Sequence, residues 1–356
     1  MKTKALVCES LTEDLSGVSV KELELPEILP QQMLIKVKAA SVNFPDLLMT
    51  QGKYQHKPDL PFVLGMEGAG IVQEIGSEVT KFKVGDEITF GSWGNGAFSD
   101  YVIVPENGPQ LKSESLDFKE AASFQTAYMT AYVSLVRRGE LQPGENLLVH
   151  GATGGVGMAA VQLGQKMGAK VIATGTSENK LKETLNWGAS HYVLTHKEEG
   201  VSFRQEVKEL TGGKGADVIY DPVGGDVFDE SIRCINWGGR ILVVGFTSGR
   251  IPTAPVNMPL IKGFSIVGVR AGEFGRRDPI KGKENIDIFI LFPHGRVSEV
   301  QQKQMTWINE KGAYALSVKT DFDGARNAGI HAILLDRDNQ FDESIQPKVR
   351  SFFELV

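Results

Sequence analysis

A short apolar run that enters a glycine cluster and leaves it with helical spacing constrains this chain more than any other stretch: Leu147-Leu-Val-His-Gly-Ala-Thr-Gly-Gly-Val-Gly157. Leu147, Leu148 and Val149 read as a buried strand, and Met158-Ala-Ala-Val-Gln-Leu-Gly164 continues with apolar residues on one helical face. Strand, glycine turn and helix in that order open a dinucleotide-binding βαβ unit. Glycine lets the backbone come close to a pyrophosphate, and the first helical turn offers unpaired N–H groups at the positive end of its dipole. The turn reads Ala152-Thr153-Gly154-Gly155-Val156-Gly157 rather than the plain Gly-x-Gly-x-x-Gly, and a glycine cluster alone is weak evidence. Its context strengthens it, because Ala169-Lys-Val-Ile-Ala-Thr174 supplies a second strand at the expected distance.

From about residue 118 the chain alternates. Helical spacing runs from Phe118 to Arg138, and a Gln142-Pro-Gly-Glu145 turn leads into the central strand. Helices are expected at 178–187, 203–210 and 226–235, and strands at 191–194, 216–220, 240–245 and 264–269. Such alternation predicts an α/β fold, a parallel sheet covered by helices on both faces. Residues 1–125 differ: strands at 5–8, 33–39, 70–75 and 85–90 lie close together without long helices, which suggests a compact β-rich domain. The length of 356 residues is ample for two domains.

The net charge of −6 gives no basic field for nucleic acid or an anionic membrane. No apolar run approaches the ~20 residues of a membrane span, and the N-terminus lacks the apolar core of a signal peptide. Cys8 and Cys234 are the only cysteines, too few for a disulfide framework or a metal cluster of their own. A cytoplasmic location is therefore expected.

With Asn43-Phe-Pro-Asp46, Gly52-Lys-Tyr54, Leu60-Pro-Phe-Val-Leu-Gly-Met-Glu-Gly-Ala-Gly70 and the 152–157 turn in order, the chain resembles the medium-chain dehydrogenase/reductases, most closely their zinc-independent quinone oxidoreductase branch. The resemblance runs to roughly residue 290. It implies a GroES-like catalytic domain in two segments, 1–125 and 266–356, with a doubly wound Rossmann domain at 126–265 between them, and a homodimer paired through the strand at 264–269. Zinc-dependent members carry cysteine where this chain has Asn43 and histidine where it has Met66, and neither amide nor thioether normally serves zinc. No metal is expected. Without a Lewis acid, quinones and activated enones are the acceptors that take hydride readily.

The resemblance places the Asn43 amide near the nicotinamide and acceptor, with an Asn that merely orders a turn as the alternative. Tyr54 matches a tyrosine at the substrate mouth, against a plain packing tyrosine. Thr130 matches the threonine that faces the nicotinamide amide, against a helix threonine bonding its own backbone. The 152–157 turn takes the pyrophosphate. The loop Asp221-Pro-Val223-Gly224-Gly225 is expected over the adenine ribose, and Gly245-Phe246-Thr247-Ser-Gly249 over the nicotinamide, both at the carboxyl ends of strands. The second strand ends Ala173-Thr-Gly175-Thr176-Ser177, without the carboxylate that would hold a ribose hydroxyl and repel a 2′-phosphate. Gly175, Thr176 and Ser177 with Lys180 favour NADPH, whereas Glu178 weakens that case and Lys180 has a solvated-helix alternative.

Small-molecule quinones are the expected substrates. Reduction of enones or enoyl thioesters, or a crystallin-like cofactor-binding protein with little turnover, are the alternatives. Residues 297–344 do not align with the family. Within them 320–336 is similar to a piece of the haloacid-dehalogenase phosphatase fold without its nucleophile strand, so Asp321 and Asp323 read as turn or helix-cap carboxylates. The helix and strand that close the family's catalytic domain are expected to be missing.

Overall fold

The computed structural model describes residues 1–91, 96–197 and 200–291, which fall into two compact units, Met1–Gln125 and 126–291. In the first, β1 (Lys2–Cys8), β2 (Val18–Glu24) and β3 (Gln32–Ser41) lead to a short helix, α1 (Phe44–Thr50). Then come β4 (Phe62–Val63), β5 (Glu67–Ile75), β6 (Glu87–Gly91), β7 (Tyr101–Pro105) and β8 (Gln110–Leu111). They form a three-stranded sheet, β2-β1-β4, and a five-stranded antiparallel sheet, β7-β3-β5-β6-β8. Successive side chains of a strand point to opposite faces, so Met33, Ile35 and Val37 of β3 enter one core with Val72, Ile88, Phe90, Val102 and Val104. Each such side chain contributes about 1.5–3 kcal/mol on burial. Asn43 and Asp46, expected in a turn, instead open α1, a helix whose first turn holds Pro45.

The helix α2 (Phe118–Tyr132) continues into a π-helical turn, Val133–Arg138. Alternation then sets in: β9 (Asn146–Val149), α3 (Gly155–Lys166), β10 (Lys170–Gly175), α4 (Glu178–Asn186) and β11 (His191–Leu194). After the hairpin of β12 (His196–Lys197) and β13 (Gly200–Val201) come α5 (Arg204–Leu210), β14 (Ala216–Asp221), α6 (Gly225–Cys234) and β15 (Ile235–Val243). The described part ends with α7 (Asn257–Lys262), β16 (Ser265–Gly268), α8 (Ala271–Arg277) and α9 (Pro279–Leu291).

Six strands form one parallel sheet in the order β11-β10-β9-β14-β15-β16. The order reverses direction at β9, and the doubly wound α/β fold inferred from the alternation is the one observed. Leu147, Leu148 and Val149 are fully buried because helices cover both faces. As far as they are described, residues 266–291 group with the second unit, where Arg240–Val243 of β15 pairs in parallel with Ser265–Gly268. The readings for 297–344, the phosphatase-like piece and the missing terminal helix and strand lie outside the described residues.

Candidate active site

The carboxyl edge of the parallel sheet collects four loops. After β9 the backbone turns at Gly151, and Gly154 caps α3 with an extended conformation, φ −91° and ψ 170°. A glycine cap has no side chain to satisfy the first N–H groups of the helix, and no side-chain cap bond is made here, an arrangement that suits an anion. Gly157 admits nothing larger: a Cβ there would lie 2.1 Å from the Gly151 carbonyl oxygen. The turn is tied to β10 by the Ala152 N–H, which donates to the Thr174 carbonyl at 2.9 Å.

Beneath it His150 is fully buried. Its ring nitrogens meet Thr174 Oγ1 at 2.7 Å and Ser231 Oγ at 2.8 Å, and Phe203 packs edge-on at 5.0 Å. Both hydroxyls also face a backbone carbonyl, Ser231 that of Val227 and Thr174 that of Val149, so the neutral ring donates its one N–H to one hydroxyl and meets the other through its bare nitrogen. Burial pulls the imidazole down to about 3, and it stays neutral. The sequence reading did not single out this histidine; its position between a buried strand and the glycine turn was the available signal.

Loops after β14 and β15 are laced together. Asp221 Oδ1 accepts the N–H groups of Val223 and Gly224, both at 2.9 Å. Thr247 N–H donates to the Pro222 carbonyl at 3.1 Å and Ser248 N–H to that of Val223 at 3.0 Å. Gly224 has φ +68°, and a Cβ there would press on the Phe246 ring. Gly245, Phe246 and Thr247 thus adjoin Val223 and Gly224, and Val223 in turn borders Gly151. Burial raises the Asp221 carboxyl to about 6 against its two backbone donors.

At the end of β10, Gly175 is buried, Thr176 is exposed, and Ser177 begins α4. Lys180 is half-buried one turn along. Glu178 is engaged by Lys182 at 3.1 Å. Thr130 donates its hydroxyl to the Thr126 carbonyl at 2.7 Å, which leaves its oxygen able to accept a hydrogen bond. Tyr128 on the same helix donates to Gln162 of α3.

In the first unit, a buried polar corner forms where β3, β5 and α1 meet. The Asn43 amide nitrogen donates to Ser41 Oγ and to Glu67 Oε1, each at 3.0 Å. Ser41 donates to the same Glu67 oxygen at 2.5 Å. Asp46 accepts the backbone N–H of Asn43 at 2.8 Å and that of Gly65 at 3.2 Å. Burial, with the nearby Glu67 charge adding to it, lifts Asp46 to about 7 despite its backbone donors. Ser41 and Glu67 escaped the sequence reading, because cross-strand register alone brings them to Asn43. Tyr54 packs half-buried against Cys8, Met49, Phe62, Leu64, Met66 and Phe98.

Two family models match: "Alcohol dehydrogenase GroES-like domain" over residues 29–112 and "Zinc-binding dehydrogenase" over 155–282. Zinc takes thiolate, imidazole or carboxylate ligands. The amide of Asn43, its nitrogen turned to Ser41 and Glu67, and the buried thioether of Met66 do not fit it. Among the described residues no group of three His, Cys, Asp or Glu side chains is placed to hold a metal. The chain is 38% identical over 296 residues to "Quinone oxidoreductase-like protein 2 homolog" of Nematostella vectensis, covering 83% of this chain and 80% of that protein. Among solved structures, a quinone oxidoreductase of Pseudomonas syringae pv. Tomato DC3000 superposes with TM-score 0.73 at 27% identity, covering 88% of this chain and 97% of that one. A mycobacterial protein complexed with NADPH does so with TM-score 0.71 at 26% identity, covering 80% and 88%. A GroES-like β-rich unit, a six-stranded sheet wound from a glycine turn, and these relatives agree: the chain belongs to the medium-chain dehydrogenase/reductase superfamily, in its quinone oxidoreductase branch.

Proposed function

We propose that this oxidoreductase is a zinc-independent reductase that uses NADPH to reduce quinones. The carrying observation is the end of β10: small hydroxyl residues Thr176 and Ser177 with Lys180 one turn on, no carboxylate on the strand end, and Glu178 held by Lys182. That set suits a 2′-phosphate better than a ribose diol. When bound, NADPH supplies the hydride. On this reading the N–H groups of 152–157 seat the pyrophosphate, Val223 and Gly224 border the adenine ribose, and Gly245, Phe246 and Thr247 border the nicotinamide. Thr130 accepts a hydrogen bond from the nicotinamide amide, while Asn43 and Tyr54 line the acceptor. The domain limits proposed are 1–125, 126–265 and 266–356.

Steady-state assays with NADPH and NADH against ortho- and para-quinones, enals and enoyl thioesters test it. Quinones should give the highest kcat/KM with NADPH, without added metal. Lys180→Ala should raise KM for NADPH about tenfold, some 1.4 kcal/mol, and leave KM for NADH nearly unchanged; equal effects on both would sink the cofactor assignment. A cytoplasmic homodimer is part of the same proposal. Its support is β16, the end strand of the sheet, with Ser265, Ile266 and Gly268 exposed. Light scattering at a monomer mass would reject the dimer. Among the described residues no helix is long and apolar enough to cross a membrane.

A further inference from the structure

His150 stands where the two halves of the parallel sheet part. Its strand, β9, lies between β10 and β14, and both ladders end at Val149, which faces Ala173 on one side and Tyr220 on the other. One residue further, the His150 backbone N–H still donates to the Tyr220 carbonyl at 3.0 Å. Toward β10 the chains separate into the glycine turn and the end of β10, from Thr174 to Ser177. Ala152 N–H bridges them by donating to the Thr174 carbonyl at 2.9 Å, and the His150 ring does so by meeting Thr174 Oγ1 at 2.7 Å. The other ring nitrogen reaches Ser231 Oγ of α6 at 2.8 Å. His150, Thr174 and Ser231 are all fully buried, where a lost hydrogen bond is not replaced by bulk water. On the far side the Gly175 carbonyl accepts from Thr195, the N–H at 2.9 Å and the hydroxyl at 3.1 Å. Thr176, Ser177 and Lys180 follow directly from this braced end.

We propose that His150 is a positioning residue for the cofactor. Through Thr174 it sets the gap between the glycine turn and the end of β10, so that a nucleotide seated by its pyrophosphate on the turn brings its 2′-phosphate to Thr176, Ser177 and Lys180. The proposal rests on the reading that these residues receive a 2′-phosphate. It adds that the preference for NADPH is set from beneath the site as well as by the side chains that touch the ligand. The imidazole suits this role because its two nitrogens lie on opposite edges of a rigid ring, which holds Thr174 and Ser231 at one separation. NADPH and NADH differ only in the 2′-phosphate. A loosened gap therefore costs them unequally: NADPH must satisfy both anchor points at a fixed distance, and small misplacements of such groups are expensive. NADH makes no phosphate contact at β10 to lose.

Binding of NADPH and of NADH to the full-length protein, read from the fluorescence of the reduced nicotinamide, tests this without turnover. Thr174→Val keeps the shape of the side chain and removes its hydroxyl. The NADH-to-NADPH ratio of Kd should then fall about fivefold, the worth of one neutral hydrogen bond. A pair of amides probes His150 itself. Asparagine puts its amide at the position of Nδ1 and can meet Thr174 with oxygen or N–H, whereas glutamine reaches only the position of Nε2, beside Ser231. His150→Gln should show the same fall in the ratio. His150→Asn leaves the larger void and should unfold at lower urea, yet should keep the ratio near that of the wild type. A ratio that tracks stability, falling more in His150→Asn than in His150→Gln, would mean that the brace only holds the core together and would reject the proposal. Should the His150 variants fail to fold, Thr174→Val decides. A wild-type preference for NADPH that survives Thr174→Val overturns the proposal alone. Equal binding of both cofactors by the wild type overturns the 2′-phosphate reading and the proposal with it.

Discussion

The carboxyl edge of the parallel sheet and the polar corner of the first unit are built from opposite materials. The edge is made of backbone: N–H groups at the start of α3, loops laced by main-chain bonds, and glycines where a Cβ would collide. Its buried titratable side chains serve that backbone: His150 is paired on both nitrogens and neutral, and Asp221 accepts two loop N–H groups. The corner is made of side chains, and two of them are buried carboxyl groups. A backbone site recognises phosphate by shape and tolerates little added bulk. A side-chain site carries charge, and its chemistry depends on protonation and on which way an amide faces.

The largest effect should come from adding bulk to the edge. Gly157→Ala places a methyl 2.1 Å from the Gly151 carbonyl oxygen, so the turn must shift. Overpacking of this kind costs about 1–3 kcal/mol, and the displaced N–H groups should weaken nucleotide binding by about 100-fold. Calorimetric titration with NADPH checks it, with circular dichroism to confirm the fold. Undiminished affinity would show that the turn is not the nucleotide seat.

Next in size is pH, where His150 of the edge and Asp46 of the corner should pull in opposite directions. His150 falls from 6.5 to about 3 in the fold, so below 6.5 the unfolded chain binds a proton that the native state refuses. Its contribution to stability is complete above 6.5 and is lost as pH falls toward 3. Asp46 rises from 3.8 to about 7, and here the native state holds the proton longer. Its contribution is complete below 3.8 and is lost as pH rises through 7. Asp221, raised to about 6, acts in the same direction. Urea unfolding between pH 4 and 8 should therefore lose part of its high-pH decline in Asp46→Asn, at a cost of about 1–3 kcal/mol for the disturbed backbone donors. An identical pH slope in variant and wild type would remove Asp46 as the titrating group.

The smallest effect is expected at Thr130. Its hydroxyl hydrogen is already given to Thr126, leaving only an accepting oxygen for a ligand. Thr130→Val should raise KM for NADPH by about threefold to tenfold, the range of one modest hydrogen bond. A change in stability without a change in KM would return Thr130 to a helix-internal role.

Much of the fold was legible in the sequence because its signals are local. Apolar runs at β9, β10, β11 and β14, each followed by helical spacing, lie within a few residues of one another, and the strands appear where that patterning put them. Glycine loops at 152–157, 221–225 and 245–249 were equally readable, since a turn announces itself in consecutive residues. The start of α1 was not: Asn43-Phe-Pro-Asp46 suits a turn and a helix opening alike, and a seven-residue helix carries little periodicity.

Tertiary structure alone decided which polar atoms are buried together. Glu67 reaches Asn43 across 24 residues and Ser231 reaches His150 across 81, and no motif links either pair. Register between β3 and β5 chose the first meeting, and packing of α6 over the sheet chose the second. Apolar periodicity specifies which face of an element turns inward, a property of neighbours in the chain. The partner a buried polar group finds depends on which elements pack side by side, and in what register, so the strand, glycine turn and helix could be read from residues 147–164 while the partners of the Asn43 amide could not.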